Sequence, residues 1–210
     1  MIKKHWKTLI LTSIIILLPI VAGLYLWNQL PDQIPSHWNM AGEVDGWSSK
    51  PFAVFGMPAL LLGIHWLCVI VTGADPKKAN HPDKVMNMVL WVIPILGIVL
   101  SIATYAAALG MDVALEIIMP LLIGLIFVII GNYLPKCKQN YTIGIKIPWT
   151  LDNEENWNKT HRFAGILWVV CGLLIMLTAF LGSFWIFICA SLVMVFAPLI
   201  YSYILHRKGI

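Results

Sequence analysis

The stretch VMNMVLWVIPILGIVLSIATYAAALGMDVALEIIMPLLIGLIFVIIGNYL, from Val85 to Leu134, decides the fold. It holds two apolar runs, Val85 to Leu109 and Val113 to Leu134, parted only by Gly110, Met111 and Asp112. A helix that crosses a bilayer needs about 20 mostly apolar residues. Inside hydrocarbon the backbone must satisfy its own hydrogen bonds, which only helices and closed barrels achieve. Two such runs with so short a break predict a tight antiparallel pair of membrane helices.

The same measure finds four more runs, Thr8 to Leu30, Phe52 to Thr72, Phe163 to Leu181 and Phe184 to Leu205. The last two are split only by Gly182 and Ser183, which makes a second tight hairpin. Of the 210 residues 60% are hydrophobic and 11% charged, a composition that makes the bilayer the solvent and excludes a soluble single-core domain. The expected fold is all-α and polytopic, with six transmembrane helices. Pro19, Pro58, Pro94, Pro120 and Pro198 fall inside these runs and predict kinks, because neighbouring helices can satisfy the freed carbonyls. Lys3, Lys4 and Lys7 precede the first run, and Val21, Ala22 and Gly23 give it a small-residue stretch, as in a secretory signal. The run continues to Leu30, beyond the roughly 7 to 15 residues of a signal core, and so predicts an uncleaved anchor. Cys68, Cys171 and Cys189 lie in apolar runs, and with Cys137 they show no metal or redox spacing, so all four read as small buried residues.

Positively charged loops stay in the cytoplasm. Six crossings place Lys3, Lys4, Lys7, Lys77, Lys78, Lys84, Lys136, Lys138, Lys146, Lys159, Arg162, Arg207 and Lys208 on one side, and Lys50 alone on the other, so 13 of the 14 basic residues agree. Both termini are therefore expected in the cytoplasm. The net charge of +4 is scattered between apolar runs, not gathered into a stripe, which excludes a nucleic-acid surface. Asn140-Tyr141-Thr142 and Asn158-Lys159-Thr160 match glycosylation acceptors, but this topology holds both inside the cell. The chain divides on this reading into a helical pair at 1–84, with an outer loop at 31–51, and a four-helix region at 85–210, with an inner loop at 135–162. The outer loop, with its prolines and glycines, is expected to be irregular and turn-rich. Long loops carrying aromatics are where function concentrates.

The inner loop reads GNYLPKCKQNYTIGIKIPWTL at 131–151 and WNKTHR at 157–162. This resembles the signature of the SdpI family of bacterial membrane proteins, carried here by Asn132, Gln139, Asn140, Ile143, Gly144, Pro148, Trp149, Thr150, Leu151, Trp157 and Arg162. LPDQIPSHWN at 30–39, with Gly42, Asp45, Gly46, Trp47, Ser48 and Lys50, resembles an uncharacterised N-terminal domain of bacterial membrane proteins. The family resemblance implies immunity or receptor work, in which a secreted peptide toxin is met in or outside the membrane and a small cytosolic repressor is drawn to the inner face.

Without the family, the inner loop has two readings. Trp149 and Trp157 among Lys146, Lys159 and Arg162 form either an aromatic and basic anchor at the headgroups or a protein-docking surface. Gly144 permits a turn and Pro148 restrains the chain before Trp149-Thr150. The candidate partner-binding set is Asn132, Gln139, Asn140, Gly144, Lys146, Pro148, Trp149, Thr150, Trp157 and Arg162. In the outer loop, His37, Trp38, Glu43, Asp45 and Trp47 are the candidate ligand surface, with the two tryptophans as anchors. His37, Glu43 and Asp45 have metal-ligand chemistry, but their spacing matches no metal motif, so no metal and no cofactor is expected. Ionisable groups within the bilayer are functional candidates by default, and here they are His65 and Glu116. A rise of about 1.5 Å per residue separates them by roughly 15 Å of depth, which excludes a direct relay. Glu116 can reach outward, and His65 can bond a neighbouring helix.

No nucleophile elbow, phosphate loop or zinc helix is present, so the chain is expected not to be an enzyme. His161 beside Arg162 is the stray acid–base candidate, and a helix-entry anchor explains it more simply. The rival reading is a transporter for a peptide or small amphiphile, which needs a polar cavity at mid-bilayer, where Asn87, His65, Ser101, Thr104 and Tyr105 are the few polar groups. An intramembrane metal-dependent enzyme is a third.

Overall fold

The computed structural model describes residues 2–39 and 42–210, and six of its helices are long and apolar enough to cross a membrane. They are α1 (Ile2–Tyr25), α2 (Met57–Gly73), α3 (Asp83–Ala108), α4 (Leu115–Tyr133), α6 (Glu154–Leu181) and α7 (Phe184–Arg207). A short α5 (Pro148–Asp152) lies in the polar loop. α1, α3, α4 and α7 run unbroken through Pro19, Pro94, Pro120 and Pro198, and Pro58 follows a π-helical turn at Phe52–Gly56. The chain divides into two compact units, Met1–Gly73 with Met86–Leu115, and Ala74–Val85 with Glu116–Ile210.

In the first unit, the Thr12 hydroxyl of α1 lies 3.0 Å from Nε2 of the buried His65 on α2. The single hydroxyl proton is committed to a carbonyl of its own helix, Thr8 O at 2.9 Å or Leu9 O at 3.0 Å. The ring therefore donates through Nε2–H, joining two apolar helices by a polar pair. The segment between α1 and α2 is not irregular, as its prolines and glycines led one to expect. It forms an antiparallel hairpin of β1 (Gln33–Trp38) and β2 (Val44–Ser49), in register from Gln33↔Ser49 to Pro35↔Trp47 and bulged beyond. An isolated two-stranded hairpin is marginal in water. This one is held by Ile34, fully buried in a cluster with Leu30, Val54 and Tyr105, and by the Tyr105 hydroxyl donating to Pro19 O at 3.1 Å. Ala108, at the end of α3, packs on the same cluster.

In the second unit, α4 and α6 meet through paired glycines. A Cβ added to Gly124 would lie 2.5 Å from Gly172 O, and one added to Gly131 would lie 2.8 Å from Gly165 O. The reciprocal additions at Gly172 and Gly165 would meet Gly124 O at 2.8 Å and Gly131 O at 2.7 Å. Only glycine allows backbones to approach so closely, and in lipid such contact, not hydrophobic exclusion, drives helix association. α6 and α7 pack through Cys171, Ile175, Ala190 and Met194, with the Trp168 indole donating to Met194 O at 3.0 Å. α6 starts nine residues before the expected span because Asn153 caps it, its side chain accepting from the amides of Glu155 and Asn156.

The hairpin after α1 shares its cluster with the end of α3, while the loop after α2 is hydrogen-bonded to the one after α4.

Candidate functional site

The loop after α4 is organised by groups whose hydrogen-bonding capacity is used up. Gln139 donates through Nε2 to Thr150 O (2.9 Å) and Leu151 O (2.8 Å) and accepts at Oε1 from Lys77 Nζ, while its backbone carbonyl accepts from Asn80 Nδ2 at 2.7 Å. The buried Asn140 donates to Lys138 O and Ile143 O and accepts from the amides of Thr142 and Ile143. Asn156, also buried, receives the hydroxyls of Thr160 and Ser202 and donates to Ser202 O and Ile210 O, tying α6 to the end of α7. Satisfied bonds of this kind contribute about 1 kcal/mol each, and a buried group left unpaired costs about 1 to 3.

The buried Asp75 closes the assembly from the loop after α2. It accepts from the Lys77 amide (2.7 Å), the Tyr141 amide (2.9 Å) and the Thr142 hydroxyl (2.8 Å), with His81 Nε2 at 3.3 Å. Burial pushes its carboxyl up, but the Thr142, Lys77 and Tyr141 donors and the His81 charge outweigh this and hold it below its ordinary value of 3.8. Asp75, Lys77, Asn80, His81 and Asn156 were not singled out from the sequence. The readable signals were the Asp75-Pro76 turn pair and the Asn153-Glu154-Glu155 cap that fixes where α6 begins.

Gly144 has φ +119°, and a Cβ there would lie 2.4 Å from His161 Nε2. His161 Nδ1–H donates to Trp157 O at 2.8 Å and Nε2 accepts from the Ile145 amide at 3.0 Å, so one neutral tautomer satisfies both. The Trp157 ring, fully buried, stacks on His161 at 4.0 Å and donates to Cys137 O at 2.7 Å. The Thr150 hydroxyl accepts from the Ile147 amide at 3.1 Å and lies 2.9 Å from Ile145 O. Burial raises the Cys137 thiol to about 11.

Other expected residues lie outside this packed interior. Asn132, Lys146, Pro148 and Arg162 are exposed, and Lys146 donates to Thr142 O. Trp149 is half-buried, stacked 5.7 Å from His206 and tilted 5.5 Å from Tyr203, and its indole nitrogen has no partner among the described residues.

Residues 136–202, from this loop to α7, match the family described as the SdpI/YfhL protein family. The immunity protein SdpI of Bacillus subtilis (strain 168) is 31% identical over 192 residues, covering 90% of this chain and 89% of that one. The chain belongs to the SdpI/YfhL family. Residues 14–62, the second half of α1 with the hairpin and the start of α2, match a domain of unknown function (DUF1648). No solved structure matches. Membership with six membrane-length helices makes it a multi-pass bacterial membrane protein.

The SdpI-like chain presents its other candidates on the hairpin. His37 Nδ1 pairs with Asp45 Oδ1 at 2.5 Å, across the bulged end. Glu43 accepts instead from Asn39 Nδ2 at 3.0 Å, so the three potential metal ligands do not converge, and among the described residues no group of three such side chains is placed to hold a metal. Trp38 is half-buried, whereas Trp47 is 58% exposed.

Proposed function

We propose that this protein confers immunity against a secreted, membrane-active peptide toxin by binding, not catalysis, with both termini in the cytoplasm and the hairpin outside. The observation that carries this is similarity to an immunity protein along nine-tenths of the chain, motif loop included. The charge count supports the arrangement, since six crossings put 13 of the 14 basic residues on the side of the motif loop. The stray acid–base candidate, His161, has both ring nitrogens committed to backbone partners. Toxin is met at Trp38, Trp47 and the His37–Asp45 pair. The face around Trp149, with Lys146 and Arg162 exposed, is the surface for a cytosolic repressor, positioned by Gln139, Asn140 and Asp75. Such coupling requires that the peptide favour one of two helix arrangements, because equal affinity for both shifts nothing.

Expression in a toxin-sensitive bacterium tests the reading. Wild type is expected to restore survival, Trp47→Ala to reduce it at normal protein level, and Trp149→Ala to preserve survival while releasing the repressor into the soluble fraction. Undiminished killing with wild type in the membrane would refute it.

A further inference from the structure

The hairpin is a sheet with an unpaired edge. The Lys50 amide bonds Asp32 O at 2.9 Å, so Asp32 and Lys50 form a hydrogen-bonded pair of the antiparallel ladder. With the register Gln33↔Ser49, Ile34↔Ser48 and Pro35↔Trp47, alternation makes Ile34/Ser48 the next bonded pair and turns the backbone groups of Ser49 and Trp47 outward on β2, and those of Gln33 and Pro35 outward on β1. Among the described residues, no backbone partner from outside the hairpin reaches β1 or β2. The two edges are not equivalent. Proline lacks an N–H, so Pro35 blunts β1, whereas β2 reads Val44-Asp45-Gly46-Trp47-Ser48-Ser49 and keeps every donor.

Side chains along β2 name the partner's chemistry. Asp45, Trp47 and Ser49 are exposed in alternation with half-buried neighbours, so an added strand would meet a carboxylate and an indole on one face. The exposed charges of the hairpin are acidic: Asp32, with a fully exposed side chain, Asp45 and Glu43. Its one cation, Lys50, is 12% exposed, bonded to Trp27 O at 3.3 Å and set 3.4 Å from Asp32. We infer that the outer edge of β2 is a docking strand for an extended, cationic, amphipathic peptide segment, which adds as a third strand through the backbone of Trp47 and Ser49 and sets an apolar side chain on the Trp47 ring. A third strand also relieves the marginal stability of a two-stranded sheet. The inference deepens the immunity reading, on which its physiological ligand rests, by naming the mode of capture.

The test uses full-length protein in phosphatidylcholine nanodiscs and a fluorescent probe peptide of alternating lysine and valine, in three forms: unmodified, N-methylated at the valines, and with glutamate for lysine. Wild type and Ser49→Ala are expected to bind the unmodified form alike. Ser49→Pro, which removes an outward N–H and no donor of the β1–β2 ladder, is expected to bind it at least tenfold more weakly. The N-methylated peptide should lose a similar factor on wild type, a comparison independent of any variant's folding, and the glutamate form should not bind. Absence of binding by the unmodified form, equal binding by Ser49→Pro, or equal binding of the N-methylated form would overturn the docking strand. Peptide-free cross-linking of two copies at Ser49→Cys would give the edge to self-association and overturn it too. If wild type protects cells and Ser49→Pro protects equally, the mode of capture fails while immunity stands. If the peptide pattern holds but wild type does not protect, immunity fails and the docking strand stands.

Discussion

Residues 31–51 and 135–162 are both polar loops with two tryptophans each, and Trp157 and Trp47 are handled in opposite ways. The motif loop turns Trp157 inward. Trp157 is sealed on His161, and Gln139, Asn140 and Asn156 spend their amide groups on the chain itself. The hairpin turns Trp47 outward, more than half exposed on a strand whose edge is unpaired, while Ile34 and Pro35 are buried beneath it. A family motif can thus encode a shape as much as a contact: most of the matching residues in the motif loop build a platform, and what is left for a partner is its rim.

Five measurements can break or sharpen that contrast. The largest effect is expected from Gly144→Val, which combines a left-handed backbone with a clash on His161; a loss of about 4 kcal/mol in unfolding of the detergent-solubilised protein is expected. A near-neutral result would mean the platform is not rigid. Ile34→Ala should cost about 3 kcal/mol and raise amide exchange across 33–49 while leaving 137–161 protected. Asp75→Asn keeps the shape but places an amide before three donors, so about 2 kcal/mol should be lost and the Tyr141 amide should exchange faster. Acid should reproduce this more gently. The Asp75 carboxyl is held below its ordinary value, so its contribution is complete above about pH 3.8 and is lost as pH falls below that, with loosening at 139–143 read by hydrogen exchange and absent in Asp75→Asn. The smallest effect is expected from Trp47→Ala, within about 0.5 kcal/mol of wild type in stability yet defective in protection. Equal losses of stability and protection would make Trp47 a structural residue.

The helices were legible because a run such as Val113 to Leu134 has no other stable state in lipid, and the motif residues were legible through the family. The hairpin was not. Val44-Asp45-Gly46-Trp47-Ser48-Ser49 has one β-branched residue, and Pro35 sits within the facing strand, so local preference argues against both. What stabilises them is Ile34 against Tyr105, a contact between residues far apart in the chain. The Asp75 clamp was hidden for the same reason, since its bonds to Tyr141 and Thr142 join residues 66 and 67 positions apart. Charge counting marked Lys77 as a sign of sidedness, and the structure shows it holding Gln139 as well.

The glycine pairs of α4 and α6 bear on how any signal moves. Two contacts seven residues apart, about 10 Å along each axis, leave no room for a side chain between the backbones. Helices joined that way resist sliding, because displacement by one residue drives a neighbouring side chain into a carbonyl. They tilt as a single beam, and the motif loop, strung between the end of one and the start of the other, rides on it like a pointer on a lever.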